Sequence, residues 1–174
     1  MQTARQVVLA AALVAGGYLA ARYTGFWLIY PFYGAALIAM AQVDLRERRI
    51  PNRIVYPAIL VALGAGVVRP GWPASLAGGL ATGALFLAPV LIFGSRRAGI
   101  GDVKLGLFVG LALGFSWSLY WALLVAFGSG LVVGLAGILL KKWDRKSLLP
   151  FGPFLALGMG VAMLIRVLQV GSVG

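Results

Sequence analysis

Four acidic side chains are available in the whole chain: Asp44, Glu47, Asp102 and Asp144. Cysteine and histidine are absent. Disulfides, thiol catalysis, imidazole catalysis and the common zinc ligand sets are thereby excluded. No metal and no cofactor is expected. What remains for chemistry is carboxylates, hydroxyls and lysines. Two of the acids stand apart. Asp44 ends an apolar run in Met40-Ala41-Gln42-Val43-Asp44, and Asp102 opens another in Gly99-Ile100-Gly101-Asp102-Val103. An acid at the edge of a hydrocarbon layer is costly and is a functional candidate by default. Two carboxyls brought together cannot both ionise easily and share a proton, so one serves as base and the other as acid. Such a pair activates water against a peptide carbonyl without metal, serine or cysteine.

Each aspartate also has a plainer reading. Asp102 suits a helix N-cap, and Asp44 could pair with Arg48 one turn later. Glu47 and Asp144 lie inside dense basic stretches and read as solvated acids, with Trp143 as an interfacial anchor. Gly99 and Gly101 give the backbone around Asp102 unusual freedom and leave room for an extended substrate. The helix dipole favours the anion at Asp102 and the shared proton at Asp44. Arg46, Arg48 and Arg49 pull the other way at Asp44.

The elements that must position these acids are read from composition. The chain is 61% hydrophobic and 11% charged. Both values lie far from a soluble domain, which is about half apolar and about a quarter charged. A polytopic all-α transmembrane bundle follows, forming one integral membrane domain over 1–174 with no separate soluble module. Seven apolar runs fall at 7–21, 26–43, 54–68, 74–93, 103–115, 119–140 and 148–168, with six to eight helices possible. The first resembles a signal peptide in beginning after Arg5, but it lacks a cleavage site before a soluble region and is read as a spanning helix. Pro31 interrupts the second run and is expected to kink it. Gly106, Gly110 and Gly114 recur every fourth residue, a spacing for close helix packing.

The net charge of +11 would suggest nucleic acid in a soluble protein. Here the charges fall between apolar runs, so they imply membrane lipid and no nucleic acid. With the N-terminus cytoplasmic, every Lys and Arg except Arg22, Arg69 and Arg166 lies on the inner side, as the positive-inside rule requires. All four acids then lie on the same side. The Pro150-Phe151-Gly152-Pro153 segment is also on that side. It reads either as an irregular stretch lining the aspartates' cleft or as a plain helix start with an early proline.

The segment from Gly99 to Leu105 resembles the GxGD-x-K-L signature of type IV prepilin peptidases. Asp44 followed by Ile50-Pro51-Asn52 resembles that family's first aspartate motif, and the stretch from Leu149 to Gly158 resembles the opening of its last helices. The likeness runs from about Val43 to Gly158. The GxGD pattern is shared with presenilin and signal peptide peptidase, whose other motifs are absent here. The resemblance implies an aspartyl endopeptidase of the inner membrane, multi-pass, with its active site at the cytoplasmic face. It implies Asp44 and Asp102 as the catalytic pair, with Gly99 and Gly101 shaping the site; Lys104, whose role the match does not settle, either shapes the site with them or holds the loop at the lipid surface. Pro51, Asn52, Pro150, Phe151, Gly152 and Pro153 become candidates for the substrate cleft. The implied partner is a prepilin-like precursor with a short basic leader and a hydrophobic helix. Oligomeric state is left open. Larger members carry a cysteine-containing region and methylate the new N-terminus. This cysteine-free chain resembles the short branch of tight-adherence pilus systems, so methyltransferase activity is not expected. Two readings compete: a non-enzymatic scaffold subunit of a pilus or secretion assembly, and a proton-coupled transporter, which would want acids near mid-membrane.

Overall fold

The structure is a computed structural model that describes residues 2–24, 29–68, 72–94, 99–141 and 150–171. Arg69, Arg96, Arg97 and the segment 142–149, with Lys142, Trp143, Asp144, Arg145 and Lys146, lie outside the described residues, as does the Arg5 side chain.

Seven helices and no strand make up the described chain. They are α1 (Gln2–Thr24), α2 (Ile29–Glu47), α3 (Asn52–Val68), α4 (Trp72–Phe93), α5 (Ile100–Leu113), α6 (Trp117–Leu139) and α7 (Gly152–Gly171). The seven apolar runs thus correspond one to one with helices, with shifted ends. The α5 helix begins three residues earlier than its apolar run. Its cap is Gly99 in extended conformation, so Asp102 lies inside the first turn and is not the N-cap. Pro31 produces no kink. It falls in the first turn of α2, where a missing N–H costs no intrahelical bond. Likewise Pro153 falls in the first turn of α7, which is a regular helix start.

Two helices are long and apolar enough to cross a membrane, over Trp72–Ile92 and Trp117–Leu139. Leu9–Tyr23, Asn52–Val68 and Gly152–Arg166 are shorter apolar segments. The outward surface supports a bilayer setting. On α6 alone, Leu131, Val132, Leu135 and Leu139 are exposed. A soluble protein rarely leaves so continuous an apolar face to water.

The α5 helix is central and packs on α3, α4, α6 and α7. Its Leu105, Phe108, Val109, Leu111, Ala112 and Leu113 are buried, and Phe108 meets Tyr33 of α2 edge to face at 5.4 Å. Small residues set the closest approaches. Gly110 of α5 lies against Gly78 and Thr82 of α4, and Gly106 lies under the Phe86 ring. In lipid such contact supplies the packing attraction that water would supply to a soluble core. Gly114 serves otherwise than as a packing glycine. It ends α5 with a φ of 69°, a left-handed angle that favours glycine. Ser75 donates to the Leu111 carbonyl at 3.0 Å, and Phe115 N–H to the Ala74 carbonyl at 2.6 Å. Together these bonds tie α4 to the end of α5.

Candidate functional site at the Asp44–Asp102 end

The inward stripe of α2 contains Ile29, Tyr33, Ala36, Leu37, Met40 and Asp44. These residues recur at helical spacing, so Asp44 inherits the core-facing direction one turn beyond Met40. It is only 4% exposed. On α5 the order is reversed. Asp102 precedes the buried pair Leu105 and Gly106 by one turn and is half-buried. The two apolar stripes therefore carry their aspartates to the same end of the bundle. Both lie just beyond the apolar runs 26–43 and 103–115.

A third element completes the site. The N–H of Gly152, first residue of α7, donates to Asp44 Oδ2 at 2.8 Å. A β-carbon at Gly152 would stand 2.7 Å from that oxygen, so a side chain there would displace the carboxylate. Phe151 supplies the carbonyl that starts α7, accepting from Phe154 N–H and Leu155 N–H at 3.1 Å each. Its ring packs with Phe86, Phe127 and Phe154 at centroid distances of 5.4, 5.2 and 6.1 Å. Gly152 thus borders Asp44 while Phe151 anchors the helix start in an aromatic cluster. Pro150 and Pro153 flank them, partly buried.

The remaining sequence candidates hold α5 against the α2–α3 connection. Neither Gly99 nor Gly101 adopts a left-handed angle: Gly99 has φ −74°, and the left-handed glycines among the described residues are Gly94 and Gly114. Their value is space. A β-carbon at Gly99 would lie 3.2 Å from Asp102 Oδ2, and one at Gly101 would lie 2.9 Å from Ile50 Cγ1. Ile50 is buried under α5. Pro51 accepts from Ile54 and Val55 N–H and so opens α3. Asn52 accepts from Lys104 Nζ at 2.8 Å, and Lys104 also lies over the Tyr56 ring at 4.9 Å. Pro51, Asn52 and Lys104 are therefore braces between α3 and α5, and no contact of theirs with either aspartate is seen among the described residues. Glu47 is exposed and pairs with Arg49, so it is a surface acid. Arg48 donates its backbone N–H to the Asp44 carbonyl, and its guanidinium forms no ion pair with Asp44.

The electrostatics reverse the order expected from the helix dipoles. Burial raises both carboxyls. At Asp44 the Gly152 N–H opposes that rise by stabilising the anion. At Asp102 no such donor acts among the described residues, and the negative charge of Asp44 adds to burial and pushes it up to about 6. The hydrogen bond at Asp44 and the neighbouring charge at Asp102 thus act in opposite directions, the first favouring the anion and the second the proton. Sequence patterning did not reveal this, because the deciding donor is a backbone amide. Its traces are a glycine that tolerates the contact and a following proline with no N–H to compete.

Comparison with known proteins bears on the same region. Residues 31–138 match the type IV leader peptidase family, a span that contains both aspartates and ends before α7. A curated relative from Bacillus subtilis (strain 168), named prepilin leader peptidase/N-methyltransferase, is 32% identical over 133 residues, covering 74% of this chain and 52% of the relative. Proteins of the same name from Aeromonas hydrophila and Burkholderia pseudomallei (strain 1026b) are 30% and 36% identical, covering 74% and 75% of this chain and 46% and 43% of their own lengths. The chain spans about half the length of these relatives. No solved structure matches it. With the family's match covering more than half of its residues, including the two core-facing aspartates, this chain belongs to the type IV leader peptidase family.

Proposed function

We propose that this chain is a membrane-embedded aspartyl endopeptidase that removes the short basic leader from prepilin-like precursors. One observation carries the reading: Asp44 is buried and Asp102 half-buried at one end of the bundle on separate helices, near enough for the charge of one to act on the other, within the family-matched segment. An inward acid in an apolar protein is costly unless it is used. The relatives' name, prepilin leader peptidase, supplies the substrate class. The N-methyltransferase half of that name is not part of the proposal.

The chemistry is hydrolysis by a carboxyl–carboxylate pair. The carboxylate removes a proton from water as its oxygen bonds to the scissile carbonyl carbon, and the carboxyl gives its proton to the carbonyl oxygen. The tetrahedral intermediate then collapses. The C–N bond breaks, the amine leaves with a proton, and the pair returns to one proton. The site would face the cytoplasm in a multi-pass protein of the inner membrane, as the basic segments near Arg46, Arg48, Arg49 and Arg53 support. A precursor with a basic leader and hydrophobic helix would lie along the bundle with its cleavage point at this end.

The test is cleavage of such a precursor by the full chain in liposomes. Asp44→Asn and Asp102→Asn should each abolish cutting, and Glu47→Gln and Asp144→Asn should leave it intact. Equal cutting by all four variants would make the aspartates structural. A parent inactive on a cognate precursor would favour the scaffold reading.

A further inference from the structure

We infer that the backbone amide of Gly152 divides the labour within the pair, making Asp44 the base that takes the proton from water and Asp102 the acid that donates to the scissile carbonyl. This rests on the peptidase reading above and goes beyond it in assigning each role and naming the group that sets it.

The geometry begins with an amide that has no helical acceptor. Gly152 is the first residue of α7, and the first four N–H groups of a helix lack intrahelical partners. Pro153 has no N–H, and the Phe154 N–H is used by the Phe151 carbonyl. The Gly152 N–H is therefore directed at Asp44 Oδ2, at 2.8 Å. A bond from N–H to a carboxylate favours the ionised form, and the positive end of the α7 dipole adds to it. Glycine is required because a β-carbon would fall 2.7 Å from the same oxygen and 3.1 Å from the Asp44 β-carbon.

Among the described residues, other charges do not supply the asymmetry. On α2, Arg46 and Glu47 are exposed, as is Arg48 just beyond it. From α3 come Arg53, exposed, and Tyr56, which lies under Lys104. From α5 come Asp102 itself and Lys104, whose ammonium is turned to Asn52. The one charged residue of α7 is Arg166, bonded near Leu113 at the far end of α5. On α1 the charges are Arg5 and, at the opposite end, Arg22.

The proton cycle closes with these roles. Asp44 starts ionised and Asp102 protonated. Attack moves a water proton to Asp44 and the Asp102 proton to the carbonyl oxygen. On collapse, Asp44 protonates the departing amine and Asp102 recovers a proton from the intermediate's hydroxyl. Gly152 acts through Asp44 and is a positioning residue.

Two measurements on the full chain test the assignment. The first is the pH profile of kcat/KM for a basic-leader precursor, with Gly152→Ala beside the parent. Losing the amide bond should move the acidic limb up by about one pH unit, since the Asp44 base would be harder to ionise. An unmoved acidic limb, with a uniform fall in rate, would make Gly152 merely structural and overturn the inference. The second needs no variant at Gly152. In the parent carrying 13C-labelled aspartate carboxyls, assigned with Asp44→Asn and Asp102→Asn, Asp44 should lose its proton at lower pH than Asp102. The reverse order overturns the inference even if both Asn variants are inactive and the dyad itself stands. If both Asn variants cut like the parent, the peptidase reading fails instead, and the titration order reports separately on the amide.

Discussion

The two ends of α7 make opposite use of a charge in an apolar bundle. At its C-terminal half, Arg166 donates to Ser118 Oγ at 2.7 Å, to the Leu113 carbonyl at 2.7 Å and to Ser116 Oγ at 2.9 Å. The guanidinium closes the C-terminus of α5, where the helix dipole favours a cation. At the other end, among the described residues, a single N–H reaches one of two carboxyl groups, and the other is pushed up to about 6 by burial and by its neighbour's charge. A charge with its donors matched by acceptors is a fastener. A pair with fewer donors than its oxygens can use, and one proton to exchange, retains capacity for a substrate. The same helix thus carries a structural contact and, on the proposed reading, a reactive one about 21 Å apart, at 1.5 Å per residue.

The largest expected effect lies at the acidic end. Asp44→Asn or Asp102→Asn should lower cleavage by at least about a thousandfold, because general base and general acid act in one step, while thermal stability holds or rises as a buried carboxyl is neutralised. Midpoints of unfolding in detergent and precursor cleavage should be measured on the same preparations. Inactive variants that are also unfolded would break the contrast by making the acids structural after all.

Arg166→Met should do the reverse. It removes three hydrogen bonds and leaves the Ser116 and Ser118 hydroxyls without this donor, while the Leu113 carbonyl keeps the Ser116 hydroxyl. A cost of about 2 kcal/mol is expected, read as a lower unfolding midpoint. The pH limits of cleavage should stay with the parent's. A shifted pH profile would mean that the far end of α7 sets the position of Gly152, and the two ends would then be one device.

Much of this was legible in the sequence, for identifiable reasons. Helical periodicity carries side-chain direction, so Met40 and Asp44 on one stripe announce an inward acid. The same logic places Asp102 before Leu105 and Gly106. Glu47 was legible as a surface acid because its neighbours are arginines. Periodicity says nothing of backbone donors, and the Gly152 N–H favours the anion at Asp44, against the order that dipoles alone suggested. Nor does it say which distant residue fills the space beside a glycine. Gly101 suggested room for a substrate backbone, and the structure places Ile50 there. Arg166 read only as an outward charge, since its acceptors Ser116 and Ser118 lie at the start of α6, distant in sequence and without a pattern that points to it.

A smaller effect concerns pH. The Asp102 carboxyl is raised from 3.8 to about 6 by burial and by Asp44. The folded state then holds this proton more tightly than the unfolded state. Its contribution to stability is therefore greatest below pH 3.8, is lost as pH rises toward 6, and stays absent above it. Unfolding midpoints followed from pH 4 to pH 8 should show that decline in the parent and less of it in Asp102→Asn. No decline in the parent would mean that Asp102 is better solvated than its half-buried setting in the first turn of α5 implies.

The smallest change is expected at the brace between α3 and α5. Lys104→Met keeps the apolar stem against Tyr56 and removes the donor to Asn52 Oδ1. That bond is solvent-exposed, where an isolated polar contact contributes about 0.5–1 kcal/mol. Its length nonetheless ties the first turn of α5, and so Asp102, to the segment that buries Ile50. Cleavage should fall severalfold in kcat, with the pH limits unmoved, because the geometry loosens while both carboxyls keep their surroundings. Asn52→Ala should match it, and the double variant should add little, since both changes open the same bond. A loss as large as that of Asp102→Asn would move Lys104 from the brace into the reacting machinery. The division between fastening charges and working ones would then have to be redrawn at the acidic end itself.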